Sequence, residues 1–563
     1  MISELKIGNF KAFGPAQTIP LRPITLVFGP NSAGKSSIIQ SLLLARHIQD
    51  TGNPDAHQTT LGGAAVDLGG FATYIHGRHA DCEATIRLMF KRADIRGKFD
   101  EIGDFKALTL EYTIGESKTG AVIITSATML LDERSMFCLI RNEDASLRVD
   151  VDAMRRRLEE RRAKLEAADE ELGSYIITYW SAVIEELTDA KFAIQGLALK
   201  ALNPLPRENY NLDYVASEGG PDHPGRDPHG FFTRLFKDWT DEEPKEGVIE
   251  AMVRRYEFEC LLEAANEAIY GALKSVSYLG PLRWIPPRLI PEGDQFDASW
   301  VAGGGDAWQR LRREPKVLEQ VNRFLHDTLH TRYRLECNRL APALDAATIE
   351  QCIRQVREKV INPFWETAPE DSASAKVAED PPVASRGMPA DADLAAALQA
   401  KLDARASRST LTELAIVDAD SNLRLSHRDV GTGISQLLPV LVNAVAAQKN
   451  LIAIEQPELH LHPALQAELA DVFIESALGE NKNTFLIETH SEHLILRLLK
   501  RIRQTTGGLN TKLPPVRPED VAILFVQPTE NGSVVQHLRV DQHGRLLDDW
   551  PGGFFEESFN ELF

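Results

Sequence analysis

The sequence predicts an α/β chain whose single recognisable site is assembled from two stretches more than four hundred residues apart. Three observations predict it: a glycine loop between a strand and a helix near the start, an apolar strand running into acids at Glu455–Glu458, and another apolar strand running into His490. Continuous apolar runs of this length, bounded by turn residues, are the pattern of strands buried on both faces.

Pro23-Ile24-Thr25-Leu26-Val27-Phe28 reads as a buried strand, Gly29-Pro30-Asn31-Ser32-Ala33-Gly34-Lys35-Ser36 as the loop, and Ser36 to Arg46 as the helix that leaves it. G-x-x-x-x-G-K-S in that context is a P-loop. Glycines let backbone N–H groups close on phosphates, and the helix N-terminus adds partial positive charge. Gly29, Asn31, Ser32, Ala33, Gly34, Lys35, Ser36 and Ser37 are therefore the nucleotide-binding candidates. Lys35 is expected to reach the β- and γ-phosphates, and the Ser36 hydroxyl to ligate Mg²⁺.

Asn450 to Glu458 is an apolar strand ending in an acidic cluster, the form of a Walker B segment. Its first acid, Glu455, is expected to hold Mg²⁺ directly or through water, while the next position normally carries the carboxylate that orients attacking water. That position is Gln456. An amide can position water but cannot take its proton, so slow turnover is expected unless Glu458 or another group substitutes. Thr484 to Glu488 is a further strand, and His490 after it stands where a switch histidine would contact the γ-phosphate. Between the halves, Gly431, Thr432, Gly433 and Ser435 open an apolar helix from Leu437 to Ala447, a second anion-seeking helix start without a lysine. It is expected to serve a nucleotide held by another subunit.

These residues resemble the ABC-type ATPases of the SMC, RecF and overcoming-lysogenization-defect (OLD) kind. The opening Leu5 to Phe13 is similar to their first strand, Glu455 to Pro463 to their acidic segment and D-loop, and Gly431 to Gln436 stands where their signature motif stands. Tyr278 to Arg288 and the tail Trp550 to Glu557 narrow the resemblance to a bacterial branch that ends in a small domain of unknown function. The resemblance implies ATP and Mg²⁺ as cofactors, a homodimer or a higher homo-oligomer of dimers, and a role in genome defence with a separately encoded effector, a nuclease being one candidate. Duplex DNA as a direct ligand in repair or recombination, and an ATP-binding scaffold with little turnover, are the alternatives. About sixty residues follow the helix after His490, too few for an OLD-type nuclease module, and Asp548-Asp549 reads as a surface pair.

The expected fold is an ABC-type ATPase head with a split nucleotide-binding domain, a helical insertion lobe and a small C-terminal β-containing extension. Expected boundaries are 1–140 for the P-loop half, 141–275 for the lobe, 276–365 for a connecting α/β segment, 366–393 for a linker rich in Ala, Pro, Asp, Glu and Ser, 394–505 for the second half and 506–563 for the extension. Heptad-like spacing of Met154, Leu158, Leu165, Ala168 and Leu172 reads as a short helical hairpin.

A net charge of −20 weighs against general coating of nucleic acid, which needs concentrated Lys and Arg. The basic groups around Arg155–Lys164 and Lys500–Arg503 read as solvated helix faces. Five scattered cysteines without C-x-x-C spacing support neither a zinc ribbon nor a disulfide framework. His460 and His462 have spacing that could suit a metal, but their D-loop position favours structure or a subunit interface. No apolar stretch is long enough to span a bilayer, and a cytoplasmic location is expected.

Overall fold

The computed structural model describes residues 1–79, 81–91, 106–131, 134–141, 147–149, 267–291, 297–340, 411–425, 429–509 and 512–551, with a few isolated positions elsewhere. The early strands are β1 (Ile2–Gly8), β2 (Gln17–Pro20), β3 (Ile24–Phe28), β4 (Gln58–Thr59), β5 (Gly63–Asp67), β6 (Ala84–Lys91), β7 (Ala107–Glu116), β8 (Val122–Leu131), β9 (Arg134–Arg141) and β10 (Leu147–Val149). Then come β11 (Val276–Leu279), β12 (Leu289–Pro291), β13 (Tyr333–Arg339), β14 (Leu411–Asp418) and β15 (Arg424–Leu425). Last are β16 (Leu451–Glu455), β17 (Thr484–Glu488), β18 (Val521–Thr529) and β19 (Gly532–Leu538).

The central sheet has the order β11-β16-β17-β3-β18-β19, parallel throughout except for β19 at the edge. Its strands divide their side chains between two cores, as a sheet covered on both faces must. Ile24, Leu26 and Phe28 of β3 and Phe485 and Ile487 of β17 enter one core; Val27, Leu486, Ala522 and Leu524 enter the other. On the second side lie helix α1 (Lys35–Thr51) and the antiparallel sheet β10-β9-β8-β7-β6-β1-β2. The first side is covered by helices Asp306–Arg313, Pro315–Arg323, Thr432–Ala446, Pro463–Leu478 and Glu492–Thr506. A small sheet has the order β12-β14-β13, with β15 folding back antiparallel on β14.

Two features differ from the sequence-based expectation. Helix α1 runs a turn and a half beyond Arg46 because Gly52 closes it in the left-handed region, its N–H donating to Ile48 O. Arg501 and Arg503 are not a free basic face: Arg501 joins Arg497 on the buried carboxylate of Asp471, and Arg503 donates to His543 O and Gly544 O. The C-terminal extension joins the head directly, since β18 lies beside β3 and Trp550 stands edge-on to Phe28 with ring centroids 5.8 Å apart. The heptad positions 154–172 and the 366–393 linker lie outside the described residues.

Candidate nucleotide site

The loop after β3 has the backbone that phosphate binding asks for. Gly29 (φ 148) and Gly34 (φ 95) adopt conformations open to glycine, and a Cβ would meet Val526 O at 2.3 Å and Ala12 Cβ at 2.3 Å, respectively. No side chain caps α1 at Gly34, so the first N–H groups of a 17-residue helix are left for a ligand. Ala33, Lys35 and Ser37 are buried, whereas Asn31 and Ser32 are exposed. The Lys35 ammonium donates to Gly29 O at 3.2 Å and Pro30 O at 2.9 Å, inside the cradle formed by its own loop. Burial lowers its pKa, and the charges of Glu488 and Glu455 work against that fall.

Parallel pairing sets Glu455 at the end of β16 directly beside Glu488 at the end of β17. Ser36 Oγ donates to Glu488 Oε2 at 2.7 Å, and Lys35 Nζ lies 3.9 Å from Glu488 Oε1. Burial, then the neighbouring Glu488 charge, pushes Glu455 up to about 7; burial also raises Glu488. Two crowded buried carboxylates and the Ser36 hydroxyl form an oxygen donor set suited to a small divalent cation. Ser36, Glu455 and Glu488 would hold Mg²⁺, which supplies charge neutralisation at the phosphates. Glu488 is a residue that sequence reasoning passed over, although its position at a strand end two residues before His490 was the available signal.

The acidic loop and the histidine loop are braced against each other. Gln456 has a left-handed backbone (φ 45), and its N–H donates to Glu488 O at 2.8 Å. His490 N donates to Glu458 Oε1 at 2.6 Å, Thr489 N to Val27 O at 2.9 Å, and Ser491 Oγ to Gln466 Oε1 at 2.7 Å. Burial, followed by the Lys35 charge, lowers the His490 pKa. Glu458 is buried and raised by that burial, with Oε1 committed to the His490 amide.

The glycines at 431–433 divide in two. Gly431 and Thr432 are exposed, and a Cβ on Gly431 would meet nothing within 4 Å. Gly433 and Ser435 are buried in their own chain, and a Cβ on Gly433 would approach His460 O to 2.4 Å. The helix therefore starts at Thr432 rather than Leu437, uncapped by any side chain. His462 caps the helix Pro463–Leu478, its Nδ1 accepting from Ala464 N at 3.3 Å. Among the described residues no cluster of three His, Cys, Asp or Glu side chains could hold a metal ion, and Asp548 is engaged by Arg539. A cavity of about 530 Å³ lined by Asn9, Asp81, Glu83 and Glu116 lies on the antiparallel sheet and holds none of these site residues.

Residues 4–179 match the model of an AAA domain, residues 347–495 that of an AAA ATPase domain, and residues 516–563 that of a protein of unknown function, DUF3696. The chain carries AAA ATPase domains and is an ATPase that ends in a DUF3696 segment. The two AAA matches fall on the two halves that meet where β3 pairs with β17, and the third covers the β18–β19 pair beside the P-loop strand of this ATPase. No curated protein matches the chain. Among solved structures, the ATPase is similar to an SMC head bound to the C-winged helix domain of ScpA, at 11% identity and a TM-score of 0.35, covering 96% of this chain and 98% of that one. The SMC head domain from Thermotoga maritima follows at 10% identity and 0.34, covering 96% and 99%. The Smc head with an extended coiled coil bound to the C-terminal domain of ScpA derived from Pyrococcus furiosus stands at 12% and 0.35, covering 100% and 98%. Among the described residues no helix is long and apolar enough to cross a membrane.

Proposed function

We propose that this ATPase is a slow, nucleotide-gated switch. Mg²⁺-ATP is held by the P-loop, Ser36, Glu455 and Glu488, and the exposed Gly431–Thr432 start of a second subunit covers its γ-phosphate with His490 alongside. The switch regulates a separately encoded effector, a nuclease being one candidate, in a cytoplasmic bacterial defence system, a role supported by the resemblance of Tyr278–Arg288 and the tail to that branch.

The observation that carries the slow cycle is the state of the two candidate bases. Gln456 has no carboxylate, and Glu458 is buried with one oxygen fixed on the His490 amide. Turnover should fall below about 1 s⁻¹, the low end of ordinary enzymes. The test is light scattering after size exclusion, with and without Mg²⁺-ATP, paired with single-turnover hydrolysis. A dimer that forms with ATP and decays at the hydrolysis rate is expected; a monomer at saturating Mg²⁺-ATP, or turnover well above about 10 s⁻¹, would sink the reading. The net charge of −20 weighs against direct coating of DNA.

A further inference from the structure

The segment that leaves β11 reaches both halves of the site. Tyr278 OH donates to Glu455 Oε1 at 2.8 Å. Five residues on, the Arg283 guanidinium is 6% exposed, and its NH2 donates to Glu455 O at 2.6 Å and Gln456 O at 3.2 Å. The main chain of Arg283 is paired with a single side chain on the helix Thr432–Ala446: Arg283 N donates to Gln436 Oε1 at 3.2 Å, and Gln436 Nε2 donates to Arg283 O at 2.8 Å. Gly280 N and Trp284 N fasten the segment to Ala302 O and Gly303 O.

The chemistry at this point calls for a guanidinium. The left-handed turn at Gln456 ends the strand and presents successive carbonyls, those of Glu455 and Gln456, to one guanidinium nitrogen, while Leu459 N also donates to Gln456 O at 3.2 Å. Both bonds come from the single nitrogen NH2, whose two N–H groups are fixed in the guanidinium plane, whereas the N–H groups of an ammonium rotate at the end of a flexible stem. Among the described residues, Arg283 Nε and NH1 are buried without hydrogen-bond partners, an arrangement that lowers stability. A charge retained at such a cost to the core marks a position where geometry matters.

We propose that Arg283 is a positioning residue that clasps the acidic loop to the helix Thr432–Ala446, so that Glu455 and Gln456 hold their places beside the P-loop only while that helix is docked. The inference rests on the ATP site described above. Docking of a second subunit on the exposed end of the helix would then be felt at the hydrolytic residues through Gln436 and Arg283.

The test uses the full chain with Arg283→Lys and Gln436→Leu. Arg283→Lys should bind a non-hydrolysable ATP analogue within about threefold of wild type while kcat falls about 10–100-fold at similar KM, the size of effect that misplacement by about 1 Å produces. In the nucleotide-free protein its amides at 458–461 should exchange faster, with α1 unchanged. Gln436→Leu should likewise speed exchange at those amides, because the helix no longer fixes the main chain of Arg283, and lose at least about fivefold in kcat. Wild-type hydrolysis in either variant, or a slow Arg283→Lys with unchanged loop exchange, overturns the clasp; if Arg283→Lys does not fold, Gln436→Leu decides alone. Because exchange is read without nucleotide, failure of the wild type to bind ATP would overturn the ATPase reading and leave the outcome of the exchange measurement intact.

Discussion

At Gln456 the turn is fixed from two sides, by its N–H on Glu488 O and by Arg283 on its carbonyl, so a change of side chain tests chemistry with little change of backbone. Gln456→Glu should raise single-turnover hydrolysis by at least about tenfold, within the roughly 10²–10⁴-fold ceiling that a placed general base contributes. Glu458→Gln should leave the rate within about threefold and instead lower the melting temperature, since a buried acceptor of the His490 amide loses its charge beside Arg283. A rate insensitive to the first change and abolished by the second would reassign the base to Glu458. Lys35→Ala should weaken ATP binding roughly 30-fold or more, from the loss of about 2–3 kcal/mol of charged hydrogen bonding, as read by titration calorimetry. Lys35, Ser36, Glu455 and His490 stood out in the sequence as candidates because each lies at or after a strand end in a fixed motif. Glu488 and Arg283 did not, because their roles depend on strand neighbours that no spacing reveals.

Helix Pro463–Leu478 and helix Glu492–Thr506 are joined through Asp471, whose buried carboxylate receives Arg497 at 2.6 Å and Arg501 at 2.6 Å. Burial alone would raise this carboxyl; the hydrogen bonds from Arg501 and Arg497 outweigh it and hold its pKa below the usual value. A carboxyl lowered in the folded state stabilises above its unfolded pKa of about 3.9 and loses that contribution as pH falls through the folded value. The difference in unfolding free energy between wild type and Asp471→Asn should thus be constant above about pH 5 and shrink as acid is added below it. Equal stability at neutral pH would show the pair to be idle. The helix Thr432–Ala446 separates its own glycines by role. Gly433→Ala should destabilise by about 1–3 kcal/mol in thermal unfolding, because the Cβ drives into His460 O, while Gly431→Trp should leave stability within about 0.5 kcal/mol and block ATP-dependent dimerisation. Strands β3, β16 and β17 were readable because all five residues of each are buried and apolar runs show it. The antiparallel strand β6 alternates buried and half-buried residues instead, a weaker signal that left it unmarked within the P-loop half.

For the whole molecule, the sheet order β11-β16-β17-β3-β18-β19 draws neighbours from the beginning, the middle and the end of the chain. The class of sheet could be read from apolar runs, but the seating of β11 and β18 could not, because pairing between distant strands is set by packing that only the folded chain supplies. β18 gives Ala522, Leu524 and Val526 to one core and Val521, Ile523 and Phe525 to the other. Removing residues 518–563 should therefore yield a chain without a cooperative melting transition and without ATP binding, as followed by circular dichroism and calorimetry. A truncated protein that folds and binds ATP like the full chain would make β18 dispensable.

The place of β18 also sets a clock on biosynthesis. β3 emerges from the ribosome early, yet its neighbour β18 lies near residue 521, and the Val526 carbonyl that Gly29 packs against is made just after it. At about 5–20 residues per second, roughly 25–100 s separate the two. Throughout that interval the nascent P-loop strand has an open edge, exposed to chaperones and to wrong partners. A prematurely terminated product would lack the strand that closes it, so the cell would be spared an ATPase that fires before β18 has been translated.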